Sequence, residues 1–394
     1  MKIVDLETFV VANPPPSYGG RYFVFVKLTT DGGVTGIGEV YSVPFSPGVV
    51  ESMIADVFAR HLLDHDPTAI ERLWRAVYAT GYTLRSDLSM MAILSGLEMA
   101  CWDIIGKEAG RPVYELLGGR VHDRLRTYTY LYPEDGDRTD VYADPDLAAQ
   151  RAAQYADLGF TAIKFDPADR YTAFDPSQPS LESLDRIERF VRQIREAVGT
   201  RCDLLFGTHG QFSPSGALRV ARRIEPYDPL WFEEPVPPEN VDAMATVAHG
   251  TSIPVATGER LATKYEFREI LTRQAAQILQ PNLGRVGGIL EAKKIAAMAE
   301  AHYAHVAPHM YAGPIEAAAC VQLDTCSPNF LIQEGIRRWD GFHAELLHSP
   351  PTWEDGYLIP PTTPGLGVEL DESVARAHPY EGSSLHLDVH PRRV

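Results

Sequence analysis

The spacing of apolar and polar positions divides the chain into two parts with different patterns of predicted strands and helices. In the first part, apolar, aromatic and β-branched residues predict strands over 2–11, 22–30 and 34–40, and the second strand stops at the turn signal Asp31-Gly-Gly. Helical spacing follows over about 47–62, 67–80 and 89–109, and the last helix is expected to end at Gly110. We therefore expect residues 1–125 to form an N-terminal α+β domain.

From about residue 126, short apolar strands alternate with helices, one of which is expected to end at Gly199. This alternation predicts an α/β fold: a (β/α)₈ barrel over 126–350, followed by a segment, 351–394, that returns to the first domain. A doubly wound sheet is the alternative, but no GxGxxG motif follows the first strand. The predicted strands are Arg126–Leu131, Ala162–Phe165, Leu204–Phe206, Leu230–Phe232, Pro254–Ala256, Ile278–Gln280, Val306–Ala307 and Phe330–Ile332.

Composition narrows the class of protein. The 394 residues carry a net charge of −17, which argues against a nucleic-acid partner but allows an anionic substrate near a local cation. No run of about 18 apolar residues predicts a membrane span, and the start, with acids at Asp5 and Glu7, does not resemble a secretory signal. The four cysteines form no CxxC pair, so we expect a reducing cytoplasm and no zinc cage.

Polar side chains follow seven successive barrel strands, where the active site of such a barrel is built. Converging carboxylates are costly to bury without a cation, and oxygen ligands favour a hard ion, so we expect Mg²⁺. His309 and Lys164 are expected on nearly opposite sides of the ring, which can present a base to either face of a substrate. The strand ends carry Lys164, Asp166, Gly207, His209, Gln211, Glu233, Glu234, Glu259, Arg260, Asn282, His309 and Glu334.

Such a site suits removal of the proton next to a carboxylate. That proton is a very weak acid, and its removal makes a dianionic enediolate. A divalent cation on the carboxylate oxygens and a nearby lysine offset this charge, while a base of tuned pKa takes the proton.

The motifs resemble those of the enolase superfamily, mandelate racemase subgroup, over nearly the whole chain. The segment from Ser95 to Gly118 is similar to the family's N-terminal signature. Trp231-Phe-Glu-Glu-Pro and Thr257-Gly-Glu-Arg resemble its second and third metal-ligand strands, and Gln280-Pro-Asn-Leu resembles its sixth strand. The resemblance implies a (β/α)₈-type barrel with an N-terminal capping domain.

Within the subgroup, the two histidines at strand ends are most similar to the galactonate dehydratase pattern. This resemblance implies an Mg²⁺ ion held by Glu233 and Glu259. It also implies that His309 is the base that takes the α-proton and that His209 is the acid that protonates the departing hydroxyl.

Further roles follow from the same resemblance. Lys164 corresponds to the first lysine of the subgroup's KxK motif, and Glu334 resembles the glutamate that hydrogen-bonds the substrate carboxylate or the enediolate. Glu234 is expected to support the ligands rather than to bind metal. The Pro-rich loop 13–20 is a candidate lid. The candidates for substrate contact are Gln211, Asn282, Tyr22, Tyr41, Tyr82 and Arg85.

Three positions depart from the family pattern. Gly207 stands where the family has its first metal ligand, an Asp, so Asp166, His209 or water must substitute. Asn282 replaces the Asp that normally pairs with the histidine after strand seven, and an amide stabilises an imidazolium less than a carboxylate does. Asp166 replaces the second lysine of KxK, which makes a two-base racemase using that lysine improbable.

The expected reaction is β-elimination from a small acid sugar, giving a 2-keto-3-deoxy acid. If the leaving oxygen belongs to a ring ether, the same steps are a cycloisomerisation, and the stretch from Phe206 to Pro214 suggests the 3,6-anhydro-galactonate cycloisomerase branch. The alternatives are an acid-sugar racemase or epimerase and a metal-depleted, non-catalytic binding protein. The family habit predicts a homo-oligomer with an even number of subunits, such as an octamer.

Overall fold

The computed structural model describes residues 1–134, 136–137, 139–168 and 177–387. Its first elements are β1 (Ile3–Ala12), β2 (Tyr22–Thr30), β3 (Thr35–Val40), α1 (Pro47–His61), α2 (Ile70–Tyr78), a 3₁₀ turn (Thr80–Tyr82), α3 (Leu88–Ala109) and α4 (Val113–Leu116). The strands form an antiparallel sheet in the order β1-β2-β3. Asp87 caps α3 by accepting a hydrogen bond from the N–H of Met90, and Gly110 ends it with φ 65°. The predicted spans of these strands and of α1 to α3 agree with the observed ones to within three residues.

Within the described residues, eight parallel strands form a ring. They are β4 (Leu125–Tyr130), β5 (Ala162–Phe165), β6 (Asp203–Gly207), β7 (Trp231–Glu233), β8 (Val255–Thr257), β9 (Ile278–Leu279), β10 (His305–Val306) and β11 (Gln333–Gly335). Neighbours pair in chain order from β4 to β10, and β11 pairs with β4. A parallel bridge between Val306 and Phe330 closes the ring. The predicted (β/α)₈ barrel is confirmed.

The last barrel strand lies three residues later than its predicted span, Phe330–Ile332. Phe330 bridges Val306 on one side of the ring, whereas Gln333–Gly335 pairs with Thr127–Thr129 on the other side. Closing a barrel staggers the register of successive strands, so the last segment contacts its two neighbours through different residues. The apolar pattern shows only the first of these contacts.

Helices separate the barrel strands and cover their outer face. In the longest, the apolar residues Leu184, Ile187, Phe190, Val191, Ile194 and Val198 are all buried, and Gly199 ends the helix as predicted. The helices are α5 (Pro145–Asp157), α6 (Leu181–Val198), α7 (Pro214–Ile224), a 3₁₀ turn (Glu225–Tyr227), α8 (Val241–Gly250), α9 (Thr263–Thr272), α10 (Ile289–Ala301), α11 (Pro314–Thr325) and α12 (Phe342–Glu345).

A packed layer of side chains fills the inside of the barrel. Each barrel strand, or the residue beside it, supplies one side chain to this layer, in which the large rings of Tyr128 and Trp231 lie among smaller side chains. The other six are Ala162, Leu205, Ala256, Ile278, Ala307 and Ile332. The interior is therefore a core rather than a pore, and polar groups gather at the carboxyl ends of the strands.

The C-terminal segment first joins the barrel and then reaches the N-terminal sheet. It contains β12 (Thr352–Glu354), β13 (Tyr357–Ile359) and α13 (Glu372–Ala377). The β13 strand pairs antiparallel with β4, a contact with the barrel that the sequence did not predict. Further on, Arg376 forms an ion pair with Glu7 on β1 at 2.6 Å, and the carbonyl of His378 accepts the N–H of Ala12. Residues 388–394 of the predicted segment lie outside the described residues.

The helix α3 is the one described helix that is long and apolar enough to cross a membrane. Of its most apolar stretch, 72% is buried inside the structure, as expected for the core helix of a folded domain. Its buried Glu98 accepts the backbone N–H groups of Ile289 and Leu290, at the start of α10. This contact joins the N-terminal domain to the barrel.

Candidate active site

Lys164, on β5, lies among carboxylates from two other strands. Its Nζ is 2.6 Å from Glu233 Oε1, on β7, and 3.5 Å from Glu334 Oε1, on β11. Burial alone would lower the pKa of Lys164, but Glu233 and Glu334 outweigh it and raise that pKa well above its usual value. The lysine is therefore a fixed positive charge and not a base.

The two glutamates with predicted ligand roles have different surroundings. Both oxygens of Glu233 are engaged, since Oε2 also accepts a hydrogen bond of 2.8 Å from Gln280 Nε2. Glu259 Oε2 lies 3.4 Å from His309 Nε2 and is buried without a hydrogen-bond partner. Although burial would raise the pKa of Glu259, its electrostatic interactions with His309, His209 and Lys164 hold it well below its usual value. Glu259 is thus an ionised carboxylate with an oxygen available to a ligand.

His309 follows β10 and is held by Asn282. The side-chain nitrogen of Asn282 lies 2.9 Å from His309 Nδ1, and the two residues also form a backbone bridge. An amide nitrogen only donates, so Nδ1 accepts, and the proton of the neutral ring is on Nε2, on the side of Glu259. The ring of Tyr41, from the N-terminal domain, packs against His309 with centroids 5.6 Å apart.

His209 follows β6 and has a carboxylate partner. Its Nδ1 lies 3.0 Å from Asp166 Oδ2, and its backbone adopts the left-handed conformation, with φ 51°. The neighbouring Thr208 hydroxyl donates to the carbonyls of Glu233 and Glu234, which fixes this strained turn. Burial alone would lower the pKa of His209, but the hydrogen bond to Asp166 and the charge of Glu259 raise it.

Asp166 does not complete the predicted set of three metal ligands. Its carboxylate faces His209, and among the described parts of the chain no three acidic, histidine or cysteine side chains are gathered around one point. The substitution of Asp166 for the missing Asp at Gly207 therefore stays a prediction. Asp166 directly follows β5, and the contact that the structure gives its carboxylate is with His209, in the loop after β6.

The side chains still fit a divalent cation held by two carboxylates. The cluster of Asp166, Glu233, Glu234, Glu259 and Glu334 has five carboxyl groups, whereas Lys164 and Arg260 are its two permanent cations. An anionic substrate would be repelled by this excess of negative charge. Mg²⁺ commonly binds through one or two carboxylates and completes its shell with water and substrate, as Glu233 and Glu259 would allow.

The structure places two residues at the site to which the sequence analysis gave no role. Arg260 Nη2 pairs with the buried Glu234 at 2.6 Å, so Glu234 supports the site through an arginine. Tyr130, at the end of β4, lies 4.8 Å from Lys164 Nζ by its ring centroid. Tyr130 pairs with Lys164 in the parallel sheet, so it lies at the same level of the barrel as that residue.

The candidates for substrate contact fall into three groups. Asn282 and Tyr41 contact His309, and Gln211 is nearly buried in the loop that carries His209. Tyr22, the first residue of β2, is buried where its ring packs on Tyr380 and His386. Tyr82 is 92% exposed, and Arg85 is also exposed, so the structure places both at the surface rather than in the cluster.

The Pro-rich loop 13–20 crosses from the N-terminal domain to the barrel. Asn13 Nδ2 donates to the carbonyls of Tyr18 and Gly20, which closes the loop on itself. The Tyr18 hydroxyl donates to Pro133 beyond β4, and its ring packs on Tyr132 with centroids 4.0 Å apart. Its predicted role as a lid stays a prediction, and these contacts put it in reach of the barrel mouth.

Comparisons with known proteins agree with this architecture. The mandelate racemase / muconate lactonizing enzyme N-terminal domain matches residues 7–118, and the enolase C-terminal domain-like family matches residues 147–374. D-galactonate dehydratase of Ralstonia pickettii (strain 12J) is 38% identical over 385 residues, which are 95% of this chain and 93% of that protein. D-galactonate dehydratase of Xanthomonas euvesicatoria pv. vesicatoria (strain 85-10) is 36% identical over 386 residues, with 95% and 94% covered.

Solved structures give the same result at higher identity. A protein of Labrenzia alexandrii DFL-11, named after the mandelate racemase/muconate lactonizing enzyme family, is 63% identical and superposes with a TM-score of 0.97 over 99% of both chains. The mandelate racemase/muconate lactonizing enzyme from Sulfitobacter sp. is 51% identical, with a TM-score of 0.97 over 99% of this chain and 98% of that one. As its motifs predicted, the chain belongs to the enolase superfamily, in the mandelate racemase subgroup.

Proposed function

We propose that this protein is a Mg²⁺-dependent lyase that removes the α-proton of an acid-sugar carboxylate and expels the oxygen on the β-carbon. The D-galactonate dehydratases among its relatives, 36–38% identical over 95% of the chain, support this substrate class. The observation that carries the proposal is the position of Glu259, an ionised carboxylate surrounded by His209, His309 and Lys164. An anionic, acid–base site of this kind suits enediolate chemistry.

The fixed charges of the site prepare it for the enediolate. Lys164 stays protonated and offsets the negative charge that develops on the substrate carboxylate. Glu334, which accepts the N–H of Met310 through Oε2, has Oε1 directed to Lys164 and limits the movement of that ammonium group. A bound Mg²⁺, held by Glu233 and Glu259, would supply Lewis-acid stabilisation of the same charge.

The hydrogen bonds favour His209 as the base. Its Nδ1–H is directed to Asp166, so Nε2 keeps a lone pair that takes the α-proton, and the carboxylate stabilises the imidazolium. The protonated His209 then delivers that proton to the departing oxygen. His309, with its proton on Nε2, acts as a neutral hydrogen-bond donor. This order is the reverse of the one that the resemblance to the galactonate dehydratase pattern implies.

The leaving oxygen decides the name of the reaction. A free hydroxyl leaves as water and gives a 2-keto-3-deoxy acid, whereas a ring-ether oxygen stays attached and the reaction is a cycloisomerisation. Racemisation needs a second base on the opposite face, and the charged Lys164 does not provide one. We propose a homo-oligomer in solution, as the family habit implies.

A screen of acid sugars and anhydro-sugar acids with Mg²⁺ tests the proposal, with the keto acid detected as its semicarbazone. On any substrate found, His209→Asn is expected to abolish exchange of the α-proton with deuterated solvent, whereas His309→Asn still exchanges it slowly. Exchange lost only in His309→Asn would restore the order implied by the resemblance. A keto acid from no acid sugar, together with no binding of Mg²⁺ by calorimetry, would instead favour a non-catalytic barrel.

A further inference from the structure

Two carboxyl groups meet behind the active site, where the N-terminal sheet contacts the barrel. Glu39 belongs to β3 and Glu316 to α11, and both are almost completely buried. Two glycines make room for them: a Cβ added to Gly313 would lie 2.6 Å from Glu39 Oε1, and one added to Gly284 would lie 2.2 Å from Glu316 Oε2. The backbone around both carboxyl groups therefore leaves the space that they occupy.

The two carboxyl groups have unequal partners. Glu39 Oε1 accepts the N–H of Gly313 at 2.6 Å and Oε2 accepts the N–H of Glu316 at 2.9 Å, at the positive end of a helix of 12 residues. Glu316 is held less firmly: its oxygens make no hydrogen bond of comparable geometry, and the Gly284 N–H and the Asn282 side chain favour its charge only weakly. A negative charge is thus stabilised more on Glu39 than on Glu316, so a proton held by the pair belongs on Glu316.

The surroundings of Glu316 agree with a neutral carboxyl. Burial and the nearby Glu39 raise its pKa well above the usual value, while burial raises the pKa of Glu39 to about 7. The Gly284 N–H, Arg285 and the Asn282 side chain oppose this shift and are too weak to reverse it. The other titratable groups that it influences are Tyr41 and Cys320.

Asn282 lies between this carboxyl and the catalytic histidine. Its nitrogen donates to His309 Nδ1, while its oxygen, Oδ1, is buried without a partner. We propose that Glu316 is a positioning residue: the C=O oxygen of its neutral carboxyl accepts the second N–H of Asn282 Nδ2 and so holds the amide with its nitrogen toward His309. This hydrogen bond gives a buried carboxyl oxygen and a buried amide N–H a partner, which removes the cost of leaving them unpaired.

The consequence concerns the tautomer of His309. With Nδ1 as an acceptor, the proton stays on Nε2, and the ring presents a donor to the substrate side. If the amide turned over, Oδ1 would accept from Nδ1–H, and Nε2 would become a base. Glu316 thereby sets which role His309 has, and the inference rests on the proposed function only in taking His309 as part of the reaction site.

The test compares two substitutions of similar size, Glu316→Gln and Glu316→Leu. The glutamine side-chain oxygen can accept the Asn282 N–H, so we expect kcat within about threefold of the wild type, whereas the leucine variant loses about tenfold or more in kcat with KM nearly unchanged. Nitrogen-15 NMR of labelled histidine, on the protein without substrate, is expected to show His309 as the Nε2–H tautomer in the wild type and Glu316→Gln, and a changed or mixed tautomer in Glu316→Leu.

The NMR readout separates this inference from the proposed function, because it needs no substrate. The same tautomer in all three proteins, or equal kcat for the leucine and glutamine variants, would overturn the positioning role. If Glu316→Leu does not fold, the infrared difference spectrum between the wild type and Glu316→Gln decides. This difference spectrum must show the loss of one C=O stretch of a protonated carboxyl group. If no such loss is seen, the proposal is overturned.

Discussion

Asp166 Oδ2 lies 3.0 Å from His209 Nδ1, so the histidine after β6 has a carboxylate partner at Nδ1. At the histidine after β10, an amide takes that place, since Asn282 lies 2.9 Å from His309. Asp166 and Asn282 are two of the three positions at which the sequence departs from the family pattern. Their combination supports our proposal that His209, rather than His309, is the base.

Asp166→Asn is the direct test of this pair. The substitution keeps the side-chain size but removes the charge that helps to raise the pKa of His209, so that pKa must fall. We expect kcat/KM to decrease on the order of 100-fold and the acidic limb of its pH profile to move to lower pH. Steady-state rates between pH 5 and 9 measure both effects. Asp185→Asn, at a carboxyl that is 70% exposed on α6, is the matched control. An acidic limb that does not move would rule out His209 as the titrating base.

Gly207→Asp is expected to restore the missing ligand. A Cβ at Gly207 would lie 3.5 Å from Lys164 Cε and 3.7 Å from both Phe165 O and Tyr130 Oη, all ordinary contacts. A third carboxylate beside Glu233 should tighten Mg²⁺ binding about tenfold, or roughly 1.4 kcal/mol. Calorimetric titration of the variant, the wild type and Gly207→Ala measures this. If the new carboxylate pairs with Lys164 instead, the Mg²⁺ affinity will stay at the Gly207→Ala value, and the two-ligand site will be wrong.

The sequence predicted most of the fold because each element leaves a periodic signal. The apolar spacing of α6 and the aromatic and β-branched residues of β2 are signals within one segment, so the ends of these elements are predicted closely. The strand Gln333–Gly335 lies later in the chain than its predicted span. Its position depends on pairing with β4, which is about 200 residues earlier in the chain.

The residues of the site could be predicted where the position of a residue on a strand fixes the direction of its side chain. Lys164, Glu233 and Glu334 converge because the carboxyl ends of parallel strands meet on one face. Tyr82 lies in the 3₁₀ turn after α2, where no such rule fixes the direction of a side chain, and it is 92% exposed. The contact between Asp166 and His209 depends on the path of two loops. Glu316 gave no signal at all, since a glutamate near a helix start usually has a solvent-exposed role.

Glu98 is expected to stabilise the contact between α3 and α10. Its carboxylate accepts the N–H of Ile289 at 2.7 Å and of Leu290 at 3.0 Å, and the Trp102 Nε1–H at 2.8 Å. Glu98→Ala leaves three buried donors without a partner and should lower the free energy of unfolding by about 2–4 kcal/mol. Urea denaturation measures this, with Glu98→Gln as the variant of matched size. A loss below about 0.5 kcal/mol in the alanine variant would show that the contact is not stabilising.

The raised pKa of Glu98 predicts how the free energy of unfolding changes with pH. Burial raises the pKa of Glu98 to about 7, above its ordinary value of 4.5, so between these values the folded state binds a proton that the unfolded state has released. The contribution of Glu98 to the free energy of unfolding must therefore fall as the pH rises from 4.5 to 7. Glu98→Gln removes this contribution, and the difference in stability between the two proteins should shrink or reverse toward pH 7. A difference that is constant over this range would contradict the shifted pKa.

The last prediction concerns Gly20, at the end of the candidate lid, and His386 of the C-terminal segment. The His386 ring lies where a Cβ on Gly20 would be, since that atom would lie 2.1 Å from Cε1, and Gly20 has φ 114°. His386 Nδ1 contacts the Tyr22 carbonyl at 2.6 Å, and its ring packs on Tyr41, which in turn packs on His309. The candidate lid and His309 are thereby connected through one buried ring.

Gly20→Ala must then disturb catalysis in two ways, through backbone strain of about 1–2 kcal/mol and through displacement of His386. Only the second effect disappears when His386→Ala is added, because the smaller side chain leaves room for the new methyl group. We expect Gly20→Ala to raise KM about tenfold, and the double variant to have a KM below the product of the two single effects. Strictly multiplicative effects on KM would mean that His386 and the lid loop act independently, and that the C-terminal segment has no part in closing the site.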